Sequence, residues 1–553
     1  FSKLAAQQPA LRDRISYNVV QSVVDTAVSR VTRNRPKPLF LTSGGDYKKQ
    51  REAKKLNQFL DGVFYENSTH QIGTNVFRDA AVWGDGFIHV FAKGDRVCHE
   101  RVMSSEIFVD DVEALYGSPR QMHRVKQVDR QVLFDMFPDD ADKIAGAKPS
   151  RTEEAGRSIV ADMITVRESW HLASGPGADD GKHCITIDGA VLGEMEPWPH
   201  QWFPFARCQW TPRLYGYWGQ GLAEQLQNIQ LEINKLLWVI QRSMHLMGSF
   251  KVFIENGSKI VKEHLNNDVG SIISYTGTPP MYVTPPIVAP EVYAHLQTLK
   301  NSAYEQAGIS QLAASSLKPE GLNSGRAIRE YNDIQTDRFH AVAKSYENMF
   351  MDVARLSIEV VKMIAADQGG YEVRVPGKKA VDTIEWNDIK LNQDDYVMQC
   401  FPVSSLPNDP AGRLATIQEY AQAGFLTPRQ ARRLLDFPDL EQVENLANAE
   451  EDYLTMVFDK IVDDGDYTSP DPLDDLAMAK QLCLEYYAKG KANNLREDRL
   501  ELLRRYLAQI SEIEQAMMPP PPPEAAMPGA VGSPLAPPMP MPPSDLVPNV
   551  PVQ

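Results

Sequence analysis

Four clusters in the sequence have the residue types that phosphate, dinucleotide or metal chemistry needs, and each fails on spacing or context. The run GPGADDGKH at 175–183 offers glycines and a lysine of the kind that cradle a phosphate. Gly177 and Gly181, however, have three residues between them where G-x-x-x-x-G-K-S/T needs four, and His183 stands where the magnesium-binding hydroxyl belongs. It reads as a solvated loop between strands. Gly84-Asp85-Gly86 is too short for a dinucleotide fingerprint and precedes a strand, so a turn with positive φ is expected there. Asp110, Asp111 and Glu113 follow a predicted strand, a position from which nuclease carboxylates reach a divalent metal. Strand alternation sends Asp110 and Asp111 to opposite faces, and no matching Lys or His motif accompanies them. Asp463-Asp464-Gly465-Asp466, followed by SPDPLDD, lacks the EF-hand spacing and its terminal Glu, and reads as a loop with helix caps. The 11 histidines form no H-E-x-x-H, no G-x-S-x-G is present, and none of the 5 cysteines sits in a catalytic context. The expectation is a chain with no catalytic residue, no metal site and no cofactor.

The elements that would position any site follow from composition and periodicity. At 553 residues the chain has room for three to four domains of roughly 150 residues. Its 43% hydrophobic and 24% charged content suits a globular protein with a sizeable core. A net charge of −16 argues against electrostatic capture of nucleic acid, though not against touching DNA without holding it. No apolar run approaches the roughly 18 residues of a membrane span, so no membrane partner is expected. The start, Phe1-Ser-Lys-Leu-Ala, has no secretory pattern, and the missing Met leaves room for an upstream start. Cys98, Cys184, Cys208, Cys400 and Cys483 are far apart with no C-x-x-C pair, which argues against a disulfide framework and for a reducing compartment.

Residues 11–32 put Ile15, Val19, Val23, Val24, Ala27 and Val31 on one helical stripe, ended by Pro36 and Pro38. Helices are expected over 47–65 and 71–82, strands from Trp83 to Asp111, and helical spacing again over 118–148. Residues 161–210 are strand-rich, with a hairpin turn at Asp188-Gly189. From Leu222 the apolar positions Leu226, Ile229, Ile233, Leu236 and Ile240 alternate steps of three and four, a heptad seam that packs a helix lengthwise against others. That helix, over 219–247, would be roughly 43 Å long at about 1.5 Å per residue. Residues 250–288 read as short strands and Pro-rich turns. A second rod starts at Pro290, with Val292, Leu296, Leu299, Ala303 and Ala307 repeating the seam, so the two rods form an antiparallel hairpin with a small head. The segment 310–325 is rich in small residues and resists regular structure. The longest helix, over about 325–366, carries Phe339, Val342, Tyr346, Met349, Val353, Leu356, Val360 and Met363 on its seam and ends at Gly369-Gly370. Strands return in YEVRV and DYVMQCFPV, and 409–516 is helical throughout. From Pro519 the chain is Pro-rich and nearly uncharged, a composition that favours extended or open coil. The fold class is α+β, predominantly helical.

This order of elements resembles the portal proteins of tailed bacteriophages, the rings that connect head to tail. Local passages agree with it: ERVMSSEIFVDDVEA (100–114), SPRQMHRV (118–125), GYWGQGLAEQLQNIQLEINKL (216–236) and SSLPNDPAGRLATIQEYAQAG (404–424) look like the family's wing, stem and wing-to-crown passages. The likeness covers about 10–515; the tail beyond 518 departs from it. It implies a mixed wing over 1–215, stem helices at 216–249 and 290–309 around a clip at 250–289, and a tunnel loop at 310–325. A long wing helix with wing strands (326–403), a helical crown (404–517) and the tail (518–553) complete the portal architecture.

The resemblance further implies a homo-oligomeric ring, normally of twelve copies, at one capsid vertex of the virion, assembled in the host cytoplasm. Double-stranded DNA would pass through it during packaging and ejection without sequence-specific contact. Its partners would be the terminase that supplies ATP-driven work, a tail adaptor or head completion protein, the major capsid protein and a scaffolding protein. Twelve copies would carry about −192 in charge, which keeps DNA sliding rather than bound. The implied channel residues are Ser315, Ser316, Lys318, Glu320 and Asn323 of the tunnel loop. The implied docking residues are Lys251, Lys259, Lys262 and His264 of the clip, and the stem would pack through Leu226, Ile229, Ile233, Leu236, Ile240, Leu296 and Leu299. The competing readings are a helical scaffold or adaptor of another large assembly and, as an enzyme, a metal-dependent nuclease.

Overall fold

The computed structural model describes residues 15–33, 35–42, 47–149, 162–247, 251–253, 281–283, 289–309, 339–376, 381–389, 396–401, 410–425 and 449–517. They fall into two compact units, Phe1–Pro438 and Asp439–Gln553.

The first unit opens with α1 (Val19–Val31), capped by the Asn18 side chain, which accepts from the Gln21 N–H at 2.9 Å. Its stripe Val19, Val23, Val24, Ala27 and Val31 is buried as the spacing requires. Ile15 does not join it: residues 15–18 precede the helix and Ile15 is exposed. Their backbone is held instead by polar side chains one and two turns apart on a later helix. Ile15, Tyr17 and Val19 N–H groups donate to Gln241, Asn234 and Gln230. Then come β1 (Lys37–Thr42), α2 (Tyr47–Glu66) and α3 (Thr69–Trp83), the last ended by Gly84 at φ +101°.

Two antiparallel sheets follow. β2 (Asp85–Lys93) is central in a three-stranded sheet of order β3-β2-β9, with β3 at Arg96–Val102 and β9 at Phe205–Gln209. The second sheet runs in sequence order: β4 (Ile107–Phe108), β5 (Gln121–Asp129), β6 (Met163–His171), β7 (Lys182–Ile187) and β8 (Ala190–Pro197). The β7–β8 turn is Asp188-Gly189, with Gly189 at φ +87°. Helical spacing over 118–148 is corrected here. Gln121–Asp129 is a strand paired along its whole length with β6, and only α4 (Arg130–Met136) and α5 (Ala141–Gly146) after it are helical. Its inward positions include Arg124, which is buried yet donates to Glu100 and Glu106 at 2.8 and 3.2 Å. A charge on the inner face hides the alternation.

Two rods, α6 (Leu222–Met247) and α7 (Pro290–Ala307), come next, with β10 (Lys251–Phe253) and β11 (Met281–Val283) between them. The long helix is α8 (His340–Gln368), capped by Gly369 at φ +83°; the part expected over 325–338 lies outside the described residues. It packs on β9, β2, β3, β1 and β14 (Tyr396–Phe401), so the core lies between this helix and the sheets. Besides the expected seam, Phe350, Ala354, Ile358, Val361 and Ile364 are buried, because α8 is covered on more than one side. Met363 is the exception in the expected seam and is exposed. β12 (Glu372–Pro376) pairs with β13 (Val381–Glu385), a strand the sequence pattern did not announce, and β14 pairs with β1. α9 (Pro410–Gln422) closes the described part of this unit.

The second unit packs α10 (Ala449–Asp463), α11 (Leu476–Ala492) and α12 (Glu497–Met517), each against the other two. Phe458, Cys483, Leu503 and Tyr506 are central to it. Residues 464–475 between α10 and α11 are not helical, which corrects the expectation of helix throughout 409–516. Asp475 caps α11, accepting from the Met478 N–H at 3.1 Å. All five cysteines are free thiols.

Candidate functional site: a helical hairpin and the joint that holds it

The heptad seams of α6 and α7 meet, as steps of three and four require. Leu226, Ile233, Ile240 and Leu296 are buried; Ile229, Leu236 and Leu299 are half-buried against the same core. Each full burial contributes about 1.5–3 kcal/mol. The rods run antiparallel. Gln306, near the end of α7, donates to the carbonyl of Gln225 at the start of α6 at 3.0 Å. Beyond the other end, Lys251, Val252 and Phe253 pair with Val283, Tyr282 and Met281. Leu231 and Trp238, seven residues apart, lie on the side of α6 opposite Ile233 and remain exposed.

The base of α6 is set by a joint whose centre is Asp85, the first residue of β2. Its carboxylate is 1% exposed and accepts from Arg207 Nε and Nη2 at 2.8 and 2.5 Å and from the Gly219 N–H at 2.6 Å. Burial raises the Asp85 pKa, and the Arg207 guanidinium pulls it back. Arg207 also donates to the Tyr217 carbonyl and lies 3.9 Å over the Tyr217 ring. Backbone meets backbone around this pair. A Cβ on Gly84 would stand 2.5 Å from the Gly219 carbonyl oxygen, and one on Gly221 would stand 2.3 Å from that of Val82. This explains Gly219 and Gly221 of GYWGQG on physical grounds: only residues without a Cβ let the chain enter α6 this close to the α3–β2 turn, while Gly216, with open space around it, is there for its φ of +93°. The sequence reading expected only a turn at Gly84-Asp85-Gly86. The paired glycines at 219 and 221 are the signal that pointed to a close approach, but their partner is more than a hundred residues away.

The other predicted site residues lie elsewhere. Lys251 contributes its backbone to β10. Lys259, Lys262 and His264, and Ser315, Ser316, Lys318, Glu320 and Asn323, lie outside the described residues. The acidic motifs have structural partners. Asp110 accepts from the Val112 and Glu113 N–H groups at 2.9 and 2.8 Å, closing a turn. Asp180, between β6 and β7, accepts from the Ser174 N–H at 2.8 Å and pairs with Arg120. Among the described residues no group of three or more His, Cys, Asp or Glu side chains could hold a metal ion, and no helix is long and apolar enough to cross a membrane.

Two family models match the chain: that of the phage SU10 portal protein over residues 139–390, and that of the phage P22-like portal protein over residues 3–174. A search among curated proteins gives no match. The two matched stretches overlap and together run from residue 3 to residue 390, taking in both sheets, the joint at Asp85, the hairpin and α8. The chain belongs to the phage portal proteins.

Proposed function

We propose that the chain forms a ring, of twelve copies, at one vertex of the capsid. DNA would enter through it under the drive of a terminase and leave through it into the tail. The observation that carries this reading is the hairpin. Its inner seam is satisfied within one copy, while Leu231 and Trp238 leave apolar surface on the opposite face that a neighbouring copy would cover. In that ring, 310–325 would line the channel, with Lys318 giving a band of positive charge in an otherwise acidic passage. The head at 250–289, with Lys251, Lys259, Lys262 and His264, would meet the terminase and later the tail adaptor. The wing would face the major capsid and scaffolding proteins. The ring acts as a conduit and uses no catalytic centre, cofactor or metal of its own; its place is the virion, after assembly in the host cytoplasm.

Class averages of the negatively stained protein test this directly: twelve-fold rings with an open centre are expected. Leu231→Glu with Trp238→Glu should remove roughly 1–3 kcal/mol of apolar burial per contact, since each side chain is already partly covered in the single copy, and leave folded single copies. A wild-type chain that sediments as a monomer at tens of micromolar would overturn the reading, and a double variant that forms normal rings would remove Leu231 and Trp238 from the contact between copies.

A further inference from the structure

A cleft of about 880 Å³ opens where the three-stranded sheet, the five-stranded sheet, α4 and the second half of α8 come together. Nothing in the conduit role uses it. Its lining is mostly apolar, with Phe91, Phe137, Trp198 and Trp202 among the walls. Two methionines line it as well, Met136 of α4 and Met363 of α8, and both are exposed. Met363 thus leaves the α8 seam to face this space instead of the core. Unbranched thioether side chains beside aromatic rings suit an irregular apolar partner, since they repack around it at small cost.

The polar groups in the cleft have a definite sign. His183 of β7 is held between Glu168 of β6 at 3.2 Å and Glu196 of β8 at 3.4 Å, and its ring stacks on Trp170 at 5.2 Å. Glu100 is matched by buried Arg124. Glu196 is different: 72% of its side chain is exposed, and the His183 imidazole is its one ion partner among the described residues. Asp135, also exposed, adds a second acid to the lining. Lys126 lies near Glu100 and Glu168 and is balanced by them. Lys93 remains as an exposed cation among the lining residues.

We propose that this cleft is a docking site for a segment of a partner polypeptide that inserts a bulky apolar side chain between Met136, Met363 and the tryptophans and sets an adjacent basic side chain on Glu196. The volume lies in the upper part of the range for a ligand site and holds an apolar anchor with its flanking backbone. Apolar contact supplies the affinity. The exposed carboxylates supply the sign, because a basic neighbour gains a charge partner there and an acidic one meets repulsion.

The probe is a fluorescein-labelled twelve-residue peptide of Leu and Lys at helical spacing, read by fluorescence anisotropy with the full chain at 150 mM salt. Its counterpart has Asp in place of every Lys. The Leu/Lys peptide should bind the wild type at least tenfold more tightly than the Leu/Asp peptide. Met363→Gln, which removes the thioether without adding charge, and Glu196→Lys should each weaken Leu/Lys binding at least tenfold, both being changes at exposed positions that keep the fold, as a wild-type thermal melt would verify. Asp111→Lys, which alters the net charge equally but outside the cleft, should leave binding within twofold. The proposal is overturned if the wild type does not bind the Leu/Lys peptide, if Met363→Gln binds it as the wild type does, or if Asp111→Lys weakens it as much as Glu196→Lys.

Discussion

Asp85→Ala isolates the energetics of the joint. Removing the carboxylate takes two hydrogen bonds from Arg207 and the acceptor from the Gly219 N–H. Breaking a buried ion pair from one side costs about 3–5 kcal/mol. Two features place this case at the low end. Arg207 keeps the Tyr217 carbonyl and ring, and burial already disfavours the ionised carboxylate. A loss of about 3 kcal/mol corresponds to roughly 150-fold in an opening equilibrium. That equilibrium can be read where it occurs, by hydrogen–deuterium exchange in peptides covering 210–222, whose amides include Gly219, bound to Asp85, and Gln220, bound to the Thr211 carbonyl at 2.8 Å. Exchange there should accelerate roughly 100-fold while peptides of α10–α12 are unchanged. Adding Arg207→Met should restore protection to within about tenfold of wild type, since no uncompensated charge would remain. Acceleration of less than about threefold in Asp85→Ala, or a double variant worse than the single one, would refute the assignment of Asp85 as the centre of the joint.

Three further outcomes follow from other parts of the chain. His99 is buried between Thr69 and Ser357 at 2.7 and 2.9 Å, and burial pushes its pKa down to about 3. The unfolded chain therefore takes up a proton below about pH 6.5 that the folded chain refuses, so stability is lost as pH falls from there toward 3, by about 1.4 kcal/mol per unit. His99→Gln should flatten that slope in acid-unfolding curves, and an unchanged slope would remove His99 from the account. Gly84→Ala, which combines φ +101° with a contact of 2.5 Å to a carbonyl oxygen, should cost at least about 3 kcal/mol, and a wild-type thermal melt would contradict the backbone contact. Lys318→Glu should assemble normally but retain packaged DNA poorly; wild-type packaging and retention across salt concentrations would take the channel role from 310–325.

What could be read in advance was what repeats. α6, α7 and α8 show themselves because their burial recurs every three or four residues, and the hairpin turn at Asp188-Gly189 because its chemistry is local. β5 escaped because the inward position of Arg124 is satisfied by Glu100 of β3 and Glu106 of the turn before β4; no short window around Arg124 contains them. Ile15 looked like the first residue of a stripe, but its backbone is claimed by Gln241 on a helix 226 residues later. Asp85 was legible only as a turn residue for the same reason. Its partners Arg207 and Gly219 are 122 and 134 residues further on. Spacing shows which faces must be covered; it does not show which distant group covers them.

The two legs of the hairpin are anchored by different materials. At the base of α6, Gly84, Gly219, Gly221 and Val82 touch through main-chain atoms, and main-chain atoms have no rotamers to exchange. At the base of α7, the contacts are side chains: Ala303 and Tyr304 in the core, and the Gln306 amide on the Gln225 carbonyl. Side-chain packing can slip from one rotamer set to another, whereas apposed peptide groups can only part or stay. Mechanically, α6 is a weld and α7 a bearing. A load on the hairpin would meet, at α6, peptide-to-peptide contacts that have no second packing to slip into, and, at α7, side chains that do.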